Sequence, residues 1–171
     1  MTGAPAPIIV SALLAEPEQS RLEALRKAHF PPERNVLAAH LTLFHHLPPS
    51  LGSELDTALD RLTRNQTAPA ARIDGFINLG RGVAVRVRSE QLDRVRAELA
   101  EMFAAVLIPQ DQASWRAHVT LQNKVTPDEA RALLRRLEAE HVPSATRVVA
   151  LASWFYRDGP WELRRRHRFA G

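Results

Sequence analysis

Apolar residues recur along the chain with two periods, two and about 3.6, and their order predicts alternating strands and helices. Ile8 to Leu14 is a short apolar run, expected as a strand. A helix follows from Pro17, with Leu22, Leu25 and Ala28 on one face, and stops before Pro31-Pro32. Val36 to Leu47 reads as extended, and Leu51 to Arg64 as a helix with Leu51, Leu55, Leu59 and Leu62 at helical spacing. Arg72 to Leu79 and Val83 to Arg88 are expected as strands joined at Gly80-Arg81-Gly82. In the second of them, valines alternate with Ala84, Arg86 and Arg88.

The order then recurs. Gln91 to Leu107 is an amphipathic helix with Leu92, Val95, Leu99, Met102 and Val106 inward, and Pro109 to Ser114 is a loop. Trp115 to Val125 is extended. Thr126-Pro127-Asp128-Glu129 starts a helix, with Thr126 as N-cap and Pro127 at its first position. That helix runs to His141, and Thr146 to Tyr156 and Trp161 to Phe169 close the chain as strands. The chain is thus expected to be α+β, a strand-helix-strand-helix-strand unit built twice. Its two lobes, about 8–80 and 83–169 with their termini open to exchange between lobes, form one domain over 1–171 with a central cleft between two mostly antiparallel sheets.

The middle strand of each copy carries the same pattern, His40-Leu41-Thr42-Leu43 and His118-Val119-Thr120-Leu121. Of the seven histidines, only these two are followed by threonine two residues on. On a strand, His40 and Thr42 point to one face while Leu41 and Leu43 anchor the other, and the second motif does the same. A pseudo-twofold axis would then gather two imidazoles and two hydroxyls in the cleft. Such a set suits phosphodiester cleavage. One neutral imidazole removes a proton from the attacking oxygen, and the other, protonated, supplies one to the leaving oxygen. The threonines hydrogen-bond the non-bridging oxygens.

Neighbouring positions extend this candidate site. By alternation Phe44 and His46 share the face of His40, Phe44 to stack a base or plug the lobe interface and His46 to touch phosphate, while His45 faces away. Arg116 shares the face of His118 and is the candidate phosphate clamp. Gln122 and Lys124 continue that face as substrate contacts. Trp115, Trp154, Tyr156 and Trp161 are expected to pack, and the basic run Arg164 to Arg168 to be a solvated edge strand. No metal is expected, because His40, His45 and His46 have no carboxylate or cysteine near them in sequence.

These motifs resemble those of the 2H phosphoesterases, which include bacterial 2′-5′ RNA ligase-like proteins and RNA 2′,3′-cyclic phosphodiesterases. The likeness covers the chain from Ile8 to its last strand. It implies a bilobal fold and opening of a 2′,3′-cyclic phosphate to a 2′-phosphate, without cofactor, with 2′-5′ ligation in some members. His40, Thr42, His118 and Thr120 match its catalytic pattern. The stretch Phe44-His45-His46-Leu47-Pro48 departs from the common Phe-Leu-Gly continuation. Gln122 and Asn123 stand where many members carry arginine. Both departures bear on substrate choice. The expected partner is thus RNA or a nucleotide cyclic phosphate. A nucleotide-binding module without turnover and a phosphoesterase for a small cyclic-phosphate metabolite are the alternatives.

Composition adds little. The chain has 171 residues, a net charge of +4 and no cysteine, which excludes disulfides and thiolate metal sites. No apolar run is long enough to span a membrane, and the first residues lack the basic segment of a signal peptide. A monomeric cytoplasmic protein is the expectation.

Overall fold

The computed structural model describes residues 5–171. Seven strands and five helices are found among them: β1 Ile8–Leu14, α1 Glu18–His29, β2 Leu41–Leu47, α2 Gly52–Arg64, β3 Ala70–Asn78, β4 Val83–Arg88, α3 Glu90–Met102, α4 Pro109–Gln112, β5 His118–Gln122, α5 Pro127–Glu140, β6 Ser144–Phe155 and β7 Glu162–Arg168. Every pairing between these strands is antiparallel. The path runs β2-β1-β6-β3-β4-β5, with β7 also paired to β6. The fold is α+β, as the periodicity predicts, but β3, placed by the sequence in the first lobe, pairs only with β4 and β6.

Strand β6 joins the halves. Its first residues, Ser144 to Arg147, pair with β3, and Val148 to Phe155 pair with β1. At twelve residues it is long enough to serve both. The two motif strands, β2 and β5, therefore end up at opposite ends of the path, and the sheet brings them back alongside each other.

Leucines and valines on one face of each strand make the core, in which Ile8, Val10, Leu43, Leu59, Leu92, Leu99, Leu121 and Leu151 are all buried. Helix α2 covers β6 and β7 with Leu55, Ala58, Leu59 and Leu62, spaced three and four apart. Helix α5 covers β3 and β4. It begins with a full capping box, in which the Thr126 hydroxyl accepts from the Glu129 amide and the Glu129 carboxylate accepts from the Thr126 amide. Helix α3 ends at Met102, short of the expected Leu107. Met102 and Val106, both expected inward, are 46% and 36% exposed: Met102 is the last residue of α3, and a 3₁₀ turn over Ala104–Val106 takes Val106 off the helical stripe. The expected loop after Pro109 holds the single turn α4. No helix of the described residues is long and apolar enough to cross a membrane.

Candidate active site

Two side chains tie β2 and β5 together across the gap between them. The Trp115 Nε1–H donates to the Thr42 carbonyl at 3.0 Å, and the buried Arg26 of α1 donates through Nη1 to the Thr120 carbonyl at 2.9 Å. Arg26 also holds Asn35 Oδ1 and the Leu37 carbonyl through Nε. Its counterpart on α3, Arg96, donates to the Leu43 carbonyl at 2.9 Å and the Asp111 carbonyl at 2.8 Å. Each half thus lends a helix-borne arginine to the other half's motif strand.

The two motif histidines are held alike. Nδ1 of His40 lies 2.7 Å from the Ala38 carbonyl, and Nδ1 of His118 lies 2.7 Å from the Arg116 carbonyl. A carbonyl only accepts, so each Nδ1 carries the hydrogen. Nε2 is then the nitrogen free to exchange a proton. Both rings are half-buried, as are Thr42 and Thr120. Neither threonine hydroxyl is taken up by a hydrogen bond among the described residues.

The His40 ring packs 4.5 Å from Trp161, tilted by 57°. Burial is the main reason its pKa falls to about 4; the Ala38 carbonyl opposes this, and the charges of Arg26, His118 and His45 reinforce it. His40 lines the cavity shared with Trp154 and Trp161, while His118 and His45 line a separate one. His40 is neutral at pH 7.

The alternation expected after Thr42 fails. Val10 pairs with Phe44 while Ser11 pairs with Thr42, so Leu43 is an extra residue and the strand bulges there. The bulge turns Phe44 into the core, where it is fully buried beneath the Arg96 guanidinium at 4.1 Å, so it stacks no base. It also reverses the expected roles of the next two histidines. His45 reaches the site region, sharing a cavity of about 160 Å³ with His118, Arg116 and Asp111; His46 is exposed and does not line it. Strand β5 bulges at the equivalent point, Leu121, since Val83 pairs with Gln122 and Ala84 with Thr120. Gln122 is buried there, with its Oε1 unpartnered, and is not a surface contact. Lys124 is exposed at a positive φ of 63°, beyond the strand end. Arg116 is exposed beside His118.

Three features escape the sequence reading. Asp111, 2% exposed, accepts from the His45 ring at 2.8 Å and from the amides of His45 and His46. Burial pushes its carboxyl up, but these hydrogen bonds outweigh burial and leave it below the usual range. Trp161 and Trp154, expected as packing residues, line a cavity of about 580 Å³ that opens beside His40. Arg86 lies directly across the ladder from His118. Its alternation with valines was the available signal. Among the described residues no group of three His, Cys, Asp or Glu side chains could hold a metal ion.

The family model described as the 2′-5′ RNA ligase superfamily matches residues 14–160. Solved structures share the fold. TT0787 of Thermus thermophilus superposes with a TM-score of 0.67 at 16% identity, over 96% of this chain and 98% of that one. E. coli LigT complexed with 3′-AMP gives 0.65 at 17% identity, over 98% and 100%. The same protein complexed with NADP+ gives 0.66 at 18%, over 98% and 100%. No curated protein sequence matches the chain.

Proposed function

The chain belongs to the 2′-5′ RNA ligase superfamily, and from that premise we propose that it is a metal-independent phosphodiesterase. Its reaction is the opening of a nucleotide or RNA 2′,3′-cyclic phosphate to a 2′-phosphate, carried by His40, Thr42, His118 and Thr120. The single observation behind this reading is the matched pair of Nδ1–carbonyl hydrogen bonds at 2.7 Å. They lock both rings in the same tautomer, with Nε2 available for proton transfer. One imidazole alone could be structural; two rings oriented by the same device in the two halves favour acid–base work.

His40, neutral at pH 7, takes the proton of the attacking water. The water oxygen bonds to phosphorus, the bond to the 3′-oxygen breaks, and His118 in its protonated form gives that oxygen a proton. The free hydroxyls of Thr42 and Thr120 hydrogen-bond the non-bridging oxygens as charge builds. With a 5′-hydroxyl in place of water the same two transfers would join a 2′-5′ bond. The nucleotides held in the LigT complexes support a nucleotide as substrate here. Hydrolysis of adenosine 2′,3′-cyclic phosphate in chelator tests the reading. Appearance of the 2′-phosphate is expected, and no turnover, or turnover only after zinc is added, counts against it.

A further inference from the structure

We infer that His45, fixed by the buried Asp111, is a third histidine of the reaction: its Nε2 donates to a non-bridging oxygen of the phosphate on which His118 acts. This rests on the proposed phosphodiesterase reading and adds a substrate-binding residue to it.

The bulge at Leu43 is what brings the ring to His118. Regular alternation would turn it away. Arg96 holds the bulge by donating to the Leu43 carbonyl at 2.9 Å, and it ties α4 to the same point by donating to the Asp111 carbonyl at 2.8 Å. The Asp111 carboxylate then takes three donors from β2: the His45 amide at 2.9 Å, the His46 amide at 3.2 Å and the His45 ring at 2.8 Å. The two amides alone would fasten α4 to the strand. The third hydrogen bond fixes the ring. Asp111, held below the usual carboxylate range, is ionised and only accepts, so Nδ1 of His45 carries the hydrogen. Nε2 is the open nitrogen, with no partner among the described residues. A carboxylate on Nδ1 also balances the charge of an imidazole whose Nε2 carries a proton.

Charge and space agree with this assignment. His45 and His118 line one cavity of about 160 Å³, with Arg116, Arg96 and Asp111 as its other charged residues. At about 30 Å³ per water, that is room for roughly five waters, or for one phosphate group with its five heavy atoms. Arg96 is buried and engaged with carbonyls, and Asp111 is engaged with β2. Three groups are left to hold an anion there. Two are the Nε2 sides of His118 and His45, each ring having its Nδ1 already bound. The third is Arg116, which has no carboxylate partner among the described residues. The His45 side chain is 41% exposed, so a ligand can reach it. Counted from the motif, its equivalent in the other half is Asn123, whose Oδ1 accepts from the Lys124 amide at 2.9 Å. The carboxylate-backed ring therefore belongs to one half only and is no by-product of the repeated arrangement.

The test replaces His45 by asparagine and by glutamine, and measures kcat/KM for adenosine 2′,3′-cyclic phosphate together with Tm. Asparagine keeps a donor where Nδ1 meets Asp111 and leaves nothing at Nε2. Glutamine keeps a donor near Nε2 and loses the tie to Asp111. His45→Asn is expected to lower kcat/KM roughly tenfold to a hundredfold with Tm little changed, the loss of one hydrogen bond to a charged group. His45→Gln is expected to recover much of that loss, even with a lower Tm. A loss below about tenfold in His45→Asn, or losses that follow Tm in both variants, overturns the inference. If wild type turns over no cyclic phosphate, the hydrolase reading fails and the anion site is tested by itself, by calorimetric titration with inorganic phosphate. Binding about tenfold weaker or more in His45→Asn, and closer to wild type in His45→Gln, sustains it. Binding absent from wild type, or weakened less than that in His45→Asn, overturns it.

Discussion

At the scale of single residues, the proposed reaction assigns the chemistry to the motif histidines, and the burial of His40 bears on its pH range. Replacing either His40 or His118 with alanine is expected to lower kcat/KM by roughly 10²–10⁴-fold. The double variant should lose far less than the product, because the two act on one transition state. His40 also has a stability consequence. Its pKa is about 4 in the folded chain against about 6.5 unfolded, so protons bind the unfolded chain more tightly. The cost is absent above pH 6.5 and grows as pH falls toward 4. At pH 5, His40→Gln should therefore gain about 1–2 kcal/mol on wild type, relative to the comparison at pH 8, read from urea unfolding. A difference that does not change with pH would mean that burial does not hold His40 neutral. The motif residues were legible because the pattern occurs twice. Phe44, His45 and His46 were not, because an extra residue at Leu43 reverses which side chains face the site, and nothing in the sequence there marks a bulge.

At the scale of elements, the helices position the motif strands through buried arginines. Arg26, 3% exposed, satisfies carbonyls of Leu37 and Thr120 that would otherwise be left without it. Arg26→Met should cost about 2–4 kcal/mol in urea unfolding and should also lower kcat, since the β5 motif loses its tie to α1. A loss of stability with kcat unchanged would make the tie structural only. Gly82 is a second fixed point, at the start of β4, where an added Cβ would collide with the Gln122 carbonyl and the Asn123 Cα. Gly82→Ala is expected to cost about 2–4 kcal/mol by the same measurement. Element order and type were largely legible from the period of apolar residues, and the start of α5 from its Thr-Pro-Asp-Glu signal. Element ends were less so. The extended segments begin at Leu41 and His118, later than expected at Val36 and Trp115, because the preceding backbone turns its carbonyls to the histidine rings.

For the whole molecule, the sheet path explains how two stretches distant in sequence, β2 and β5, come to lie alongside each other. Strand β6 welds the halves, and the exchange of arginines between them lines up β2 with β5. Two similar halves could be read from the chain. Their exchange of arginines could not, because Arg26 and Arg96 look in sequence like ordinary polar positions on amphipathic helices. The cavities beside the two motif strands also differ: Trp154 and Trp161, with Arg166 and Arg168, wall the one beside His40, and Arg72, Arg86, Arg88, Arg116 and Arg147 border the one beside β5. Everything in the proposed reaction depends on two histidines moving protons without help from a metal. That dependence is best probed by following adenosine 2′,3′-cyclic phosphate with phosphorus NMR, using metal-stripped protein in excess chelator and comparing wild type with His40→Ala and His118→Ala. Wild type should yield the 2′-phosphate, with near-complete loss in both variants. Turnover that appears only on adding metal, or that survives in either variant, would contradict the proposal.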